Sequence, residues 1–230
     1  PIMPPKSKAV SSVPRTAIPV GQLMQTTFLI TAGVVVGVGI VENYGLLAPI
    51  QYFLEFLTPV EHISLLALAF TAFWSFSATA LLSNYVIGVA NKDKGVELAE
   101  PRLQKAHLTG IASRAHGAHA NAIETFSLFA SAVILAYVTG VPVHVCNSFS
   151  LLHAGARVVH TFAYLADWRM SRAICWTICT VTSLGLYAFA TFPSFSAFYR
   201  HCLFFLGGAR HHLDNAPVAR SIYEAVRGVH

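Results

Sequence analysis

Four stretches of this chain, residues 16–41, 63–91, 125–156 and 173–199, contain no Asp, Glu, Lys or Arg. A helix needs about 20 apolar residues to cross the roughly 30 Å hydrocarbon layer of a bilayer. Each run supplies that length, and the third has enough left over to begin a second crossing. Charged residues make up 11% of the 230 and hydrophobic ones 55%, whereas a soluble domain carries about 25% charge. Soluble core helices rarely stay apolar for 18 residues. The alternating segments of about 10 residues that build a membrane barrel are missing. The expectation is an all-α integral membrane protein.

The formal charge of +5 does not indicate a nucleic-acid partner, because the basic residues are scattered over loops and form no stripe. Cys146, Cys175, Cys179 and Cys202 make no CxxC pair. Cys175 and Cys179 lie one helical turn apart in an apolar run, so they are expected to pack as small hydrophobes, with no disulfide and no metal site. A first residue of Pro is expected of a processed or trimmed chain. No acid precedes Glu42, while Lys6, Lys8 and Arg15 stand among Ser, Thr and Pro. That composition is compatible with an organelle-targeting remnant and points towards the mitochondrial inner membrane, with the endoplasmic reticulum as the alternative.

Prolines 4, 5, 14 and 19 make residues 1–19 an irregular arm. A first crossing follows within 20–62. It contains Gly33-Val-Val-Val-Gly37, whose small residues four apart suit close helix–helix approach; a plain Val-rich, lipid-facing helix reads equally well. Residues 46–58 are too short to cross and are expected at the interface. Further crossings are expected over 63–90, from a start within 111–120 to Val138, over about 144–165, and over 173–192. They are joined by the polar loop 91–110, the uncharged turn 140–143 and the polar turn 167–172. Residues 193–230 read as an interfacial segment and a polar tail. With five crossings, the arm, the 91–120 region and the 167–172 turn share one side and hold ten of the fifteen Lys and Arg residues. The 42–62 segment on the other side has three glutamates and no Lys or Arg, which fits the positive-inside tendency.

Ionisable groups within a bilayer normally face protein or water, and two helices carry them at helical spacing. Arg114, Gly117, Asn121 and Glu124 fall on one stripe. His153, Arg157, His160 and Tyr164 fall on another. The short turn between these helices makes them antiparallel neighbours, so Glu124 and Arg157 are expected to neutralise one another or to pair with copies in another subunit. The plain structural alternatives are a buried Glu–Arg pair, an Asn121 that only bonds between helices, and packed, hydrogen-bonded histidines at 153 and 160.

The segment Arg114-Ala-His-Gly-Ala-His-Ala-Asn121-Ala-Ile-Glu124 resembles the Asn-x-x-Glu helix of the MAPEG family, the membrane-associated proteins in eicosanoid and glutathione metabolism. Arg157-Val-Val-His160-Thr-Phe-Ala-Tyr164, followed by Arg172, resembles the Arg-x-x-His-x-x-x-Tyr helix and downstream arginine of the same family. The wording is nearest to the microsomal prostaglandin E synthase branch and to bacterial members. The resemblance covers residues 63–192. It implies a MAPEG-like four-helix transmembrane bundle with one extra N-terminal transmembrane helix, and assembly as a homotrimer with glutathione between subunits. On that likeness Asn121 and Glu124 would bind the tripeptide backbone. Arg157, His160 and Tyr164 would line the pocket, and Arg172 would stabilise the thiolate. A cation beside a thiol raises the fraction of nucleophilic thiolate.

The chain departs from the family pattern at two positions. Catalytic relatives carry an arginine four residues before the Asn, or immediately before it; here those residues are Gly117 and Ala120. Bidentate guanidinium contacts to carboxylates have no ready substitute. Two readings follow. In one the chain is a non-catalytic accessory subunit of a larger organellar membrane complex, contacting other membrane-protein subunits. In the other it is a glutathione-dependent transferase, isomerase or peroxidase acting on a lipophilic substrate.

Overall fold

The computed structural model describes residues 20–43, 45–90, 96, 101–192 and 194–195. The N-terminal arm, most of the loop with Lys92 and Lys94, and nearly all of the segment from 193 onward lie outside them. The described chain is helical. Helix α1 spans Val20–Asn43 and α2 spans Ala48–Glu55; a 3-10 turn at Val60–His62 leads into α3, Ile63–Phe73. A π turn at Trp74–Ala78 joins α3 to α4, Thr79–Ala90. Helices α5 (Pro101–Ala106), α6 (Gly110–Val138), α7 (Val143–Leu165) and α8 (Arg169–Thr191) complete the order.

Among the described residues, four segments are long and apolar enough to cross a membrane: Met24–Val41, Val60–Ala90, Gly110–Val138 and Arg169–Thr191. The first lies outside the four-helix core. Sequence expectation adds a fifth crossing, α7, which has 23 residues and so reaches spanning length. Its hydropathy is lowered by Asn147, Ser148, Ser150, His153, Arg157 and His160, all buried. Helices α3, α6 and α8 pack around it. Crossing by α7 therefore depends on enclosure by protein, the usual condition for polar side chains at membrane depth.

The core lies where α6, α7 and α8 converge, around Phe129, Val133, Phe149, Leu186 and Phe189. At Gly185 a Cβ would stand 2.5 Å from the Phe149 ring, so only glycine lets α8 come this close to α7. Helix α1 joins the same cluster through Val34 and Val38 and packs chiefly on α8. Its GxxxG glycines are not the contact, since no atom comes within 4 Å of a Cβ at Gly33 or Gly37. Val34 and Val38, four apart, own the packed face and turn the glycines away from the bundle.

Both turns beside α7 end a helix in the same way. After α6, Gly140 takes φ +70°; Val141 N–H bonds Ala136 C=O at 3.0 Å and Gly140 N–H bonds Tyr137 C=O at 3.3 Å. After α7, Asp167 takes φ 57°; Trp168 N–H bonds Ala163 C=O at 2.9 Å and Asp167 N–H bonds Tyr164 C=O at 3.3 Å. These are Schellman pairs, which satisfy carbonyls that a helix end leaves open. The second turn is shorter than the sequence predicts. Trp168 C=O accepts the Arg172 N–H at 2.9 Å, so α8 begins at Arg169 and Arg172 sits in its first turn rather than in the polar turn. Likewise α6 starts at Gly110, one residue before the expected window, and α5 occupies part of the expected loop.

The two ends of the bundle differ in charge. Among the described residues, one end carries Arg102, Lys105, Arg114, Arg169 and Arg172 against Asp167. The other carries Glu55 and Glu61 and no Lys or Arg.

Candidate functional site

The buried row on α7 consists of Asn147, Ser150, His153, Arg157 and His160, each at most 1% exposed. Its first members hold the fold. Asn147 Oδ1 accepts the Ser64 N–H at 3.1 Å, one of the donors left open at the start of α3. Asn147 Nδ2 donates to the Val60 carbonyl at 2.9 Å. The His153 ring stacks on Phe129, centroids 3.8 Å apart, and its Nδ1 is 3.2 Å from the Cys179 carbonyl. A carbonyl can only accept, so this bond places the proton on Nδ1. Ser183 Oγ already donates to that same carbonyl at 2.8 Å. His153 is thus a packed histidine, although its Nε2 has no partner.

The later members gather the residues expected to form a site. Arg157 donates through one Nη to Asn121 Oδ1 at 3.1 Å, while its Nε and other Nη have no partner. One turn on, the His160 ring meets the edge of Tyr164, centroids 5.5 Å apart. The Arg172 guanidinium lies 4.5 Å above the centre of the Tyr164 ring, a cation–π distance. Arg114 reaches across from α6 and donates from Nε to the Leu165 carbonyl at 3.1 Å, capping the negative end of α7. Asn121, Arg157, His160, Tyr164 and Arg172 therefore run from near the middle of the bundle to its basic end.

Glu124 does not join them. Its side chain is exposed, and the one ion pair among the described residues is Arg169–Asp167, at 3.8 Å. The expected Glu124–Arg157 pairing within the chain is therefore not made. Arg157 points inward to the amide of Asn121, and Glu124, three residues further along α6, faces outward near the middle of that helix.

Gly117 is where the sequence pattern departs from catalytic relatives, and the structure fills the space above it. A Cβ at 117 would lie 3.1 Å from both Cε1 and the hydroxyl of Tyr164. The ring is held between α6 on one side and Arg172 on the other. Three contacts were not foreseen from sequence: this one, Trp74 Nε1–H to Thr161 Oγ1 at 3.1 Å, and Thr79 Oγ1 with His119 Nδ1 at 2.9 Å. A faint signal for the last was the four-residue spacing of Ser75, Thr79 and Ser83 within an apolar run. Cys146, Cys175 and Cys179 are buried free thiols. Among the described residues, no group of three or more His, Cys, Asp or Glu stands close enough to hold a metal.

Long apolar helices packed around a buried polar row define a polytopic α-helical membrane protein, in contact with the lipid bilayer. Within that class, a family profile described as MAPEG family matches residues 63–192, more than half the chain and the whole of α3 to α8. The chain belongs to the MAPEG family. Neither the curated proteins nor the solved structures contain a match to it.

Proposed function

We propose that this chain is a non-catalytic structural subunit of a larger membrane assembly, a MAPEG fold whose glutathione site is closed. One observation carries the reading: the Tyr164 ring rests on Gly117, at 3.1 Å from where a side chain would begin. Catalytic relatives place a guanidinium there. Members of the family commonly bind glutathione, whose two carboxylates need such donors. Here the space holds an aromatic ring pinned by Arg172, and Glu124 points away from the cluster. The residues present do not fit the tripeptide well. Helix α1, outside the matched region and exposed along most of its length, offers surface to neighbouring subunits. The acid-free stretch before Glu42, with Lys6, Lys8 and Arg15, favours the mitochondrial inner membrane as the location.

The runner-up reading is a glutathione-dependent transferase, isomerase or peroxidase acting on a lipophilic electrophile, working as a homotrimer. It is favoured by the retained Asn121, Tyr164 and Arg172 and by Glu124, whose side chain has no partner among the described residues and would meet one across a subunit contact. Calorimetric titration of glutathione into gently solubilised protein separates the two. The structural reading expects no heat and unrelated subunits copurifying in fixed ratio. Binding that disappears in Glu124→Ala or Arg172→Ala would end it.

A further inference from the structure

The geometry points to a binding site for the phosphate of an anionic phospholipid, formed by Arg114 and Arg172 on either side of the end of α7. This inference rests on the reading that the cluster no longer holds glutathione. The two arginines are brought together by one short segment: Arg114 bonds the carbonyl of Leu165 and Arg172 covers the ring of Tyr164. Each is committed in a way that leaves donors free. Among the described residues Arg114 bonds only through Nε, so both of its terminal nitrogens remain. Arg172 stands over the ring of Tyr164, and its guanidinium has no hydrogen-bond acceptor among the described residues. Neither is within 4.0 Å of a carboxylate among the described residues, because Asp167 is engaged by Arg169.

Depth supports the same occupant. Arg114 is four residues from the start of α6, about 6 Å along its axis, and Arg172 is in the first turn of α8. Beside them Trp168 and Met170 are each 63% exposed, and on α4 Tyr85 is 71% exposed. Exposed Trp and Tyr near helix ends mark the headgroup level of a bilayer. Two guanidiniums at that level, with no carboxylate partner among the described residues, match the phosphate of a lipid headgroup in charge and in donor chemistry. Arg114 and Arg172 are both half-buried, whereas Arg102 and Arg169 at the same end are exposed.

The test uses the full chain in nanodiscs of phosphatidylcholine with and without phosphatidylglycerol, counting retained lipids by native mass spectrometry. The wild type is expected to retain phosphatidylglycerol over phosphatidylcholine. Arg114→Gln and Arg172→Gln should each lower that preference roughly fivefold, the factor that about 1 kcal/mol per cation gives. Arg102→Gln, an exposed cation on α5, should leave it within about twofold. Arg172→Gln removes no described hydrogen bond, so it keeps the test interpretable if Arg114→Gln loosens the end of α7. Equal retention of both lipids by the wild type, or an Arg102→Gln loss as large as that of Arg172→Gln, overturns the site. A stabilisation by inorganic phosphate in phosphatidylcholine discs that Arg172→Gln abolishes would assign the cup to a soluble anion and overturn the lipid source. Glutathione that competes with phosphatidylglycerol would overturn the structural-subunit reading instead. Silent glutathione with no lipid preference overturns only the lipid proposal.

Discussion

The turns at the two ends of α7 each close the helix before them by the same hydrogen-bond scheme, and the two ends are otherwise opposites. At the end that follows α6, the turn holds Gly140 and Pro142, carries no charge, and stands beside a close-packed region where Phe149 fills the space over Gly185. Asn147 there uses both halves of its amide to tie α7 to the start of α3. At the other end the turn holds Asp167, Arg114 takes a backbone carbonyl, and Arg157 and His160 retain buried nitrogens without partners. The first end leaves one buried hydroxyl, Ser150 Oγ, without a partner. The other keeps unspent hydrogen-bonding capacity, which buried polar groups rarely do without a ligand, water or partner. The contrast puts the close-packed contacts and the unpartnered nitrogens towards opposite ends of one bundle.

Substitutions can break this contrast, beginning at the packed end. Gly185→Ala forces the buried Phe149 ring to move against Phe189, its edge-on neighbour at 5.7 Å. Thermal unfolding in detergent should show a loss of about 3 kcal/mol, much of it recovered by adding Phe149→Leu. Asn147→Leu should cost about 2 kcal/mol by stranding the Ser64 N–H and the Val60 carbonyl, and hydrogen exchange should rise at the start of α3. The charged end sharpens the comparison with a small gain. Asp167 is the one described non-glycine residue at positive φ, so Asp167→Gly relieves strain and should add about 0.5 kcal/mol, allowing for the weak exposed pair lost with Arg169.

Much of the fold was legible because bilayer physics leaves few choices. Charge-free runs located every long helix, and Gly140 and Pro142 marked the turn between α6 and α7. The stripe on α7 was legible as well, since His153, Arg157 and His160 had nowhere to point except into protein. What escaped were features set by the meeting of helices. Periodicity put Glu124 on the stripe of Asn121, but a stripe about 100° wide has two edges. Packing turned Asn121 towards Arg157 and left Glu124 outside. The extra residue in the π turn at Trp74–Ala78 has no composition signal, because Trp-Ser-Phe-Ser-Ala reads as ordinary helix. The missing side chain at Gly117 was visible in sequence, whereas the ring that replaces it comes from Tyr164, 47 residues away.

Glu124 has a consequence for the life of the chain before assembly. It is the fifteenth of the 29 residues of α6, halfway along a helix of spanning length. Central acidic residues cost about 3 kcal/mol on insertion scales. A lone copy carries that burden until a neighbour supplies a donor or a cation. On the subunit reading proposed above, that cost would bias solitary copies towards degradation and assembled ones towards survival.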